Sequence, residues 1–124
     1  MTAKTEVLVA MILANGGQSV SIPSIEEDLD KLLERGRLSS YREISIMAGN
    51  PSQCHENSAR LWDANRKRCK IVTGYSLSKG MWYQHSWCEN DEGVIFETTT
   101  KREAYFGVEL TPEECDQFYT DNGW

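Results

Sequence analysis

Basic residues are in the minority in this 124-residue chain: 13 Lys and Arg stand against 19 Asp and Glu, a net charge of −6. A nucleic-acid binder draws its affinity from many Lys and Arg contacts to phosphates, so this balance argues against RNA or DNA as a partner. The one basic cluster, Arg66, Lys67, Arg68 and Lys70, reads instead as a solvated helix end whose cations suit the C-terminal dipole. A long hydrophobic run is also missing. The apolar stretch Val7 to Ala14 falls well short of the ~20 residues a bilayer demands, and with one Lys before it makes a poor secretion signal. No membrane partner is expected. No Cys-x-x-Cys pair occurs among the four cysteines at 54, 69, 88 and 115, and the only histidines are His55 and His85. Structural zinc sites use paired ligands at short spacing, and small disulfide scaffolds are denser in cysteine. The expectation is four free thiols in a reducing cytoplasm, with no metal and no organic cofactor. Internal repeats and low-complexity tracts are absent.

What is present is the composition of an ordinary globular protein, 40% hydrophobic and 26% charged. The length suits one domain over 1–124, with a helical region at 1–48, a core at 49–110 and a terminal helix and tail at 111–124. Val7 to Ala14, closed by Asn15-Gly16-Gly17, is a buried helix or a buried strand; Gln18 to Pro23 is a loop or short edge strand. Ser24-Ile25-Glu26-Glu27 reads as a capping box opening a helix with Ile25, Leu29, Leu32 and Leu33 on one stripe and Gly36 as its stop. The stretch 38–48 is ambiguous. Asn50 reads as an N-cap, Pro51 as the first helical residue and Gln53 as a capping-box partner of a helix running to about Arg66. The pattern then turns to strands at 70–77, 81–89, 94–99 and 104–110. Thr111-Pro112-Glu113-Glu114 is a capping box for a final helix containing Cys115 and Phe118. Helices, then a consecutive antiparallel meander, then a terminal helix make an α+β fold.

A thiol is a nucleophile only as thiolate, and a helix N-terminus or a nearby imidazolium lowers its pKa. Cys54 is the one cysteine expected at such a place; Cys69, Cys88 and Cys115 read as small apolar side chains. His55 follows Cys54 directly and on a helix would point about 100° away, toward the surface. His85 lies in a strand whose Tyr83, His85 and Trp87 share one face, an aromatic face suited to packing on the Cys54 helix. The third member of such a centre is an acceptor that orients the imidazole. Suppose Asp91-Glu92-Gly93 is a three-residue hairpin loop with Gly93 left-handed. Then Asn90 faces Val94, Trp87 faces Glu97, and His85 and Glu97 become diagonal neighbours about 7–8 Å apart, within side-chain reach. A loop of even length would put them on opposite faces.

The order helix-cysteine, strand-histidine, next-strand-carboxylate carries a resemblance. Cys54-His55-Glu56-Asn57-Ser58-Ala59, Thr73-Gly74-Tyr75, His85-Ser86-Trp87, Val94 to Thr99 and Tyr105-Phe106-Gly107-Val108 resemble the transglutaminase-like branch of the papain-like superfamily, notably its small phage and bacterial members. The resemblance covers a little under half of the chain and leaves 1–48 outside. It implies a nucleophile at Cys54, a base at His85 and an orienting acid at Glu97, where the family more often has Asp. Asn57, three residues from Cys54 on the same helix side, is expected as structural support. The Cys54 N–H is the natural first oxyanion donor, with Gln53, Asn50 and Gln84 as candidates for a second. The expected function is a cysteine-dependent enzyme acting on a peptide or protein carboxamide. The alternative is a non-catalytic relative that binds a partner protein through exposed Trp82, Trp124 and the acidic tail.

Overall fold

The computed structural model describes residues 2–123. Among them are four helices, α1 (Ala3–Leu13), α2 (Leu29–Arg35), α3 (Cys54–Ala64) and α4 (Pro112–Asn122). The strands are β1 (Ser19–Ser21), β2 (Arg37–Leu38), β3 (Glu43–Ile46), β4 (Lys70–Ser78), β5 (Met81–Glu89), β6 (Val94–Glu97) and β7 (Ala104–Glu109). They form one seven-stranded sheet in the order β2-β7-β4-β5-β6-β3, with β1 pairing β5. The protein is therefore a mixed α+β fold. No helix among the described residues is long and apolar enough to cross a membrane.

Two compact units divide the chain. The first takes in the residues up to Ser39, Gly74–Gln84 and Arg102–Val108. The apolar stretch at 7–14 is helical here, in α1, which buries Leu8 and Ile12. Its N-cap is Thr2, whose hydroxyl accepts from the Thr5 N–H. The expected capping box at Ser24 does not form: α2 begins only at Leu29 and Ile25 is exposed. Glu26, inside that stretch, instead ties the segment to other partners. One oxygen accepts from the Tyr75 hydroxyl at 2.6 Å and the other from the Asp28 N–H at 2.9 Å. Gly36 ends α2 in extended rather than left-handed backbone. Trp82, expected on the surface, is fully buried and donates its indole N–H to the Gly16 carbonyl at 2.9 Å. Burying so large a ring while satisfying its one polar atom gives this unit its centre. Trp124 lies outside the described residues.

The second unit takes in Ser40–Thr73, His85–Lys101 and the chain from Glu109 onward. In it β5 and β6 are antiparallel with Cys88 opposite Phe96 and Glu89 opposite Ile95. This is the register expected from a loop closed by Gly93, which sits at φ 78° while the Asn90 N–H donates to the Val94 carbonyl. The fourth strand departs from a consecutive meander: β7 lies beside β4, and β6 instead carries β3 in parallel register, Glu43 with Val94 through Ile46 with Glu97. Once β3 occupies that edge, β7 has no place there. α4 begins with the expected capping box, Thr111 and Glu114 exchanging both bonds, and packs on α3. Trp62 meets Tyr119 and the Arg66 guanidinium lies 4.4 Å above the Trp62 ring. The basic cluster is largely spoken for within this unit: Arg66 pairs with Asp63 and Asp116, and Lys70 with Asp91 and Glu109.

Candidate active site

The helix that carries Cys54 starts later than its sequence suggests. Asn50 and Pro51 lie outside it; Gln53 stands at the N-cap position without a side-chain cap bond, and Cys54 is the first helical residue. The reason is local. Ser52 is left-handed at φ 59°, which breaks any helix begun at Pro51. Asn57, buried in the helix, instead holds the loop before it. Its amide donates to the Asn50 carbonyl at 2.8 Å and accepts from the Asn50 N–H at 3.1 Å, as fits the structural role expected of it. Gly49 is tight against this amide, where a Cβ would overlap the Asn57 carboxamide. Backbone bonds from Met47 to the Glu97 carbonyl and from Gly49 to the Thr98 carbonyl tie the same loop to β6. The chain before the thiol is thus held by its neighbours, while the Cys54 N–H has no partner among the described residues.

His85 on β5 is buried, and its Nε2 lies 2.8 Å from Glu97 Oε1 on β6. A carboxylate only accepts, so Nε2 carries the proton and Nδ1 is the nitrogen left for the thiol. Glu97 is fully buried, and its other oxygen accepts from the Thr99 N–H and hydroxyl, each at 3.0 Å. Trp87 stacks on the imidazole with ring centres 5.9 Å apart. The ring is therefore fixed in position, tautomer and orientation. Thr99 was not picked out from the sequence; its place two residues beyond a buried carboxylate is the pattern of a side chain closing on its own backbone.

His85 and Cys54 act on one another's ionisation. Burial pushes the half-buried thiol up, but hydrogen bonds from His55 and His85 outweigh it and bring its pKa down to about 5. Burial also opposes charge on His85, yet its bonds to Cys54 and Glu97 raise its pKa above the usual imidazole value. The two shifts favour a thiolate–imidazolium pair. His55 is not the surface residue expected. Its Nδ1 lies 3.9 Å from the Cys54 sulfur and 2.6 Å from the Ser86 hydroxyl, with its ring edge-on to Phe118. α3 meets β5 through Ser86 and through Cys88, whose thiol donates to the Ser58 carbonyl at 3.4 Å, as well as through His85. Ser86 and Cys88 lie on the strand face opposite Tyr83 and Trp87, so the footing of the helix is not the aromatic row expected from the sequence. Small side chains at 86 and 88 let the helix approach closely.

Of the remaining candidates, Gln53 sits exposed beside Cys54 and makes no cap bond, while Asn50 engages Asn57 through its backbone. Gln84 belongs to the first unit, where its amide donates to Glu26 at 3.4 Å. Cys54, Cys69, Cys88 and Cys115 are all free thiols. Burial raises Cys115, and a hydrogen bond with Cys69 raises Cys88; the same bond lowers Cys69, which is thus more than an apolar filler. Among the described residues no three His, Cys, Asp or Glu side chains converge as metal ligands. No protein-family model, curated protein or solved structure matches the chain, so the reading of the site rests on its geometry.

Proposed function

We propose that the chain is a cysteine-dependent enzyme that cleaves amide bonds of a peptide or protein through an acyl-enzyme, on a papain-like core of the transglutaminase-like type. The observation that carries this reading is a buried imidazole hydrogen-bonded to a buried carboxylate and electrostatically coupled to a thiol at a helix N-terminus. The Cys54 thiolate attacks the carbonyl carbon, and the carbonyl electrons move onto oxygen. The Cys54 N–H, at the positive end of α3, is the first donor to that oxyanion, and the exposed Gln53 beside it is the candidate for the second. As the tetrahedral species collapses, the C–N bond breaks and imidazolium His85 hands its proton to the departing amine. A thioester on Cys54 remains. Neutral His85 then takes a proton from water, hydroxide attacks the thioester, and the thiolate leaves with His85 again protonated. Glu97 keeps the ring in register throughout. Water is the simplest acceptor; an amine in its place would give transamidation at the same centre.

The test uses p-nitrophenyl acetate, an acyl donor that needs no specific substrate pocket. A burst of p-nitrophenol with acetate found on the Cys54 peptide supports the reading. Acetate spread evenly over Cys54, Cys69 and surface lysines contradicts it.

A further inference from the structure

The catalytic reading uses one of the two imidazoles beside the sulfur and leaves the other without a task. His55 follows Cys54 in α3, yet the two side chains converge: Nδ1 of His55 is 3.9 Å from Cys54 Sγ. Regular helix geometry would send neighbouring side chains apart by about 100°. Two contacts from other elements hold the ring where it is. The Ser86 hydroxyl on β5 meets Nδ1 at 2.6 Å, and Phe118 on α4 stands perpendicular to the ring with centres 5.7 Å apart. A histidine that merely filled space would need neither an anchoring hydroxyl on its sulfur-facing nitrogen nor an aromatic backstop.

We propose that His55 is a second positioning residue for the nucleophile, held by Ser86 and Phe118 so that its Nδ1 side faces the sulfur and stabilises the thiolate when His85 has given up its proton. The inference rests on the catalytic reading of Cys54 and assigns the two histidines different work. His85, tied to the Glu97 carboxylate, is the proton carrier. His55, tied to a neutral hydroxyl, has no carboxylate partner among the described residues with which to share a travelling proton. Its part is to hold a donor near the sulfur at the stage when the centre is most electron-rich. The Cys54 thiolate and the Glu97 carboxylate then flank a neutral His85, and the single Nδ1–H of His55, shared between the Ser86 oxygen at 2.6 Å and the sulfur at 3.9 Å, offsets charge that burial would otherwise penalise. The titratable groups acting on Cys54 are His55 and His85, with Glu97 behind the latter, so the two contributions can be separated by substitution.

The test is the pH profile of iodoacetamide labelling at Cys54, read by peptide mass spectrometry, in wild type, His55→Phe, His55→Asn, Ser86→Ala and His85→Ala. Phe keeps the ring packed against Phe118, and Asn keeps a donor close to the Nδ1 position. With the thiol pKa at about 5, a rise of one unit lowers the thiolate fraction at pH 6 by about twofold and a rise of two units by about tenfold. His55→Phe is expected to slow labelling at pH 6 by about two- to tenfold, Ser86→Ala less, and His55→Asn to recover part of the loss. A profile in His55→Phe that superimposes on wild type, while His85→Ala shifts, overturns this inference and leaves the catalytic reading intact. If neither histidine moves the profile, the catalytic reading fails with it. Should His55→Phe not fold, Ser86→Ala and His55→Asn carry the test: both matching wild type would equally overturn it.

Discussion

Two helices of this protein begin in opposite ways. α4 opens on a full capping box: Thr111 accepts from the Glu114 N–H, Glu114 accepts from the Thr111 N–H at 2.8 Å, and Pro112 stands inside the first turn. Every device that closes a helix start is in place. α3 opens with no side-chain cap, a left-handed Ser52 and a cysteine as its first residue. The donors that α4 satisfies internally are, at α3, left facing a thiol. A helix start that is costly for stability is useful for chemistry, because unpaired N–H groups and the dipole favour an anion there. The loop is held in this form by Asn57 and β6 rather than by its own sequence, as strain at functional sites generally requires.

The largest expected effect comes from removing the anion itself. Cys54→Ala is expected to lower turnover of p-nitrophenyl acetate by about a thousandfold or more, leaving the fold in place. It also changes how stability depends on pH. The folded Cys54 pKa, about 5, lies below that of an unfolded thiol. The stabilisation from its ionised form is therefore complete above the unfolded value and is lost as pH falls through about 5. The raised His85 pKa acts in the other sense, stabilising below the unfolded imidazole value and losing effect as pH climbs through the folded one. The Tm gap between wild type and Cys54→Ala should accordingly widen from about pH 5 to the unfolded imidazole value of 6.5 and level off above it; a gap that narrows between about pH 5 and 6.5 would contradict the ion pair.

Next in size is Glu97→Gln, which keeps volume but removes the acceptor charge behind His85. Activity is expected to fall by about 10²–10⁴-fold, with a loss of about 1–3 kcal/mol in urea unfolding from the disturbed buried network. Thr111→Ala, at the closed helix start, should cost about 1 kcal/mol and leave Cys54 labelling untouched. The smallest and most discriminating change is Gln53→Asp at the open start. A carboxylate there is expected to stabilise α3 by about 0.3–1 kcal/mol through the dipole while slowing Cys54 alkylation several-fold at pH 6, since it competes with the thiolate for the same field. Stability and reactivity moving together in Gln53→Asp would break the contrast between the two helices.

The same contrast marks what could be read in the sequence. The α4 start was legible because its signals are local: Thr111, Pro112 and Glu114 need only one another. The β5–β6 register was legible for the same reason, since Gly93 fixes the loop and the loop fixes which residues face each other. The order of Cys54, His85 and Glu97 along helix and strands followed from those pieces. Long-range partners could not be read. Glu26, inside the stretch expected to open α2, is bonded to Tyr75, 49 residues away, and α2 starts only at Leu29. Ser52 adopts a conformation its residue type rarely takes, so the start of α3 was placed too early. β3 claims the edge of β6 from a stretch with no clear period, displacing β7. His55 was misjudged because helix geometry alone says it turns away, and only Ser86, 31 residues on, turns it back.

The most direct test of the central claim is the pH dependence of iodoacetamide labelling at all four cysteines of the wild-type protein. Half-maximal reactivity of Cys54 near pH 5, with Cys69, Cys88 and Cys115 slow at pH 6, is the expected result. A Cys54 that titrates like an ordinary thiol, near about pH 8.5, and reacts no faster than the other three would contradict it.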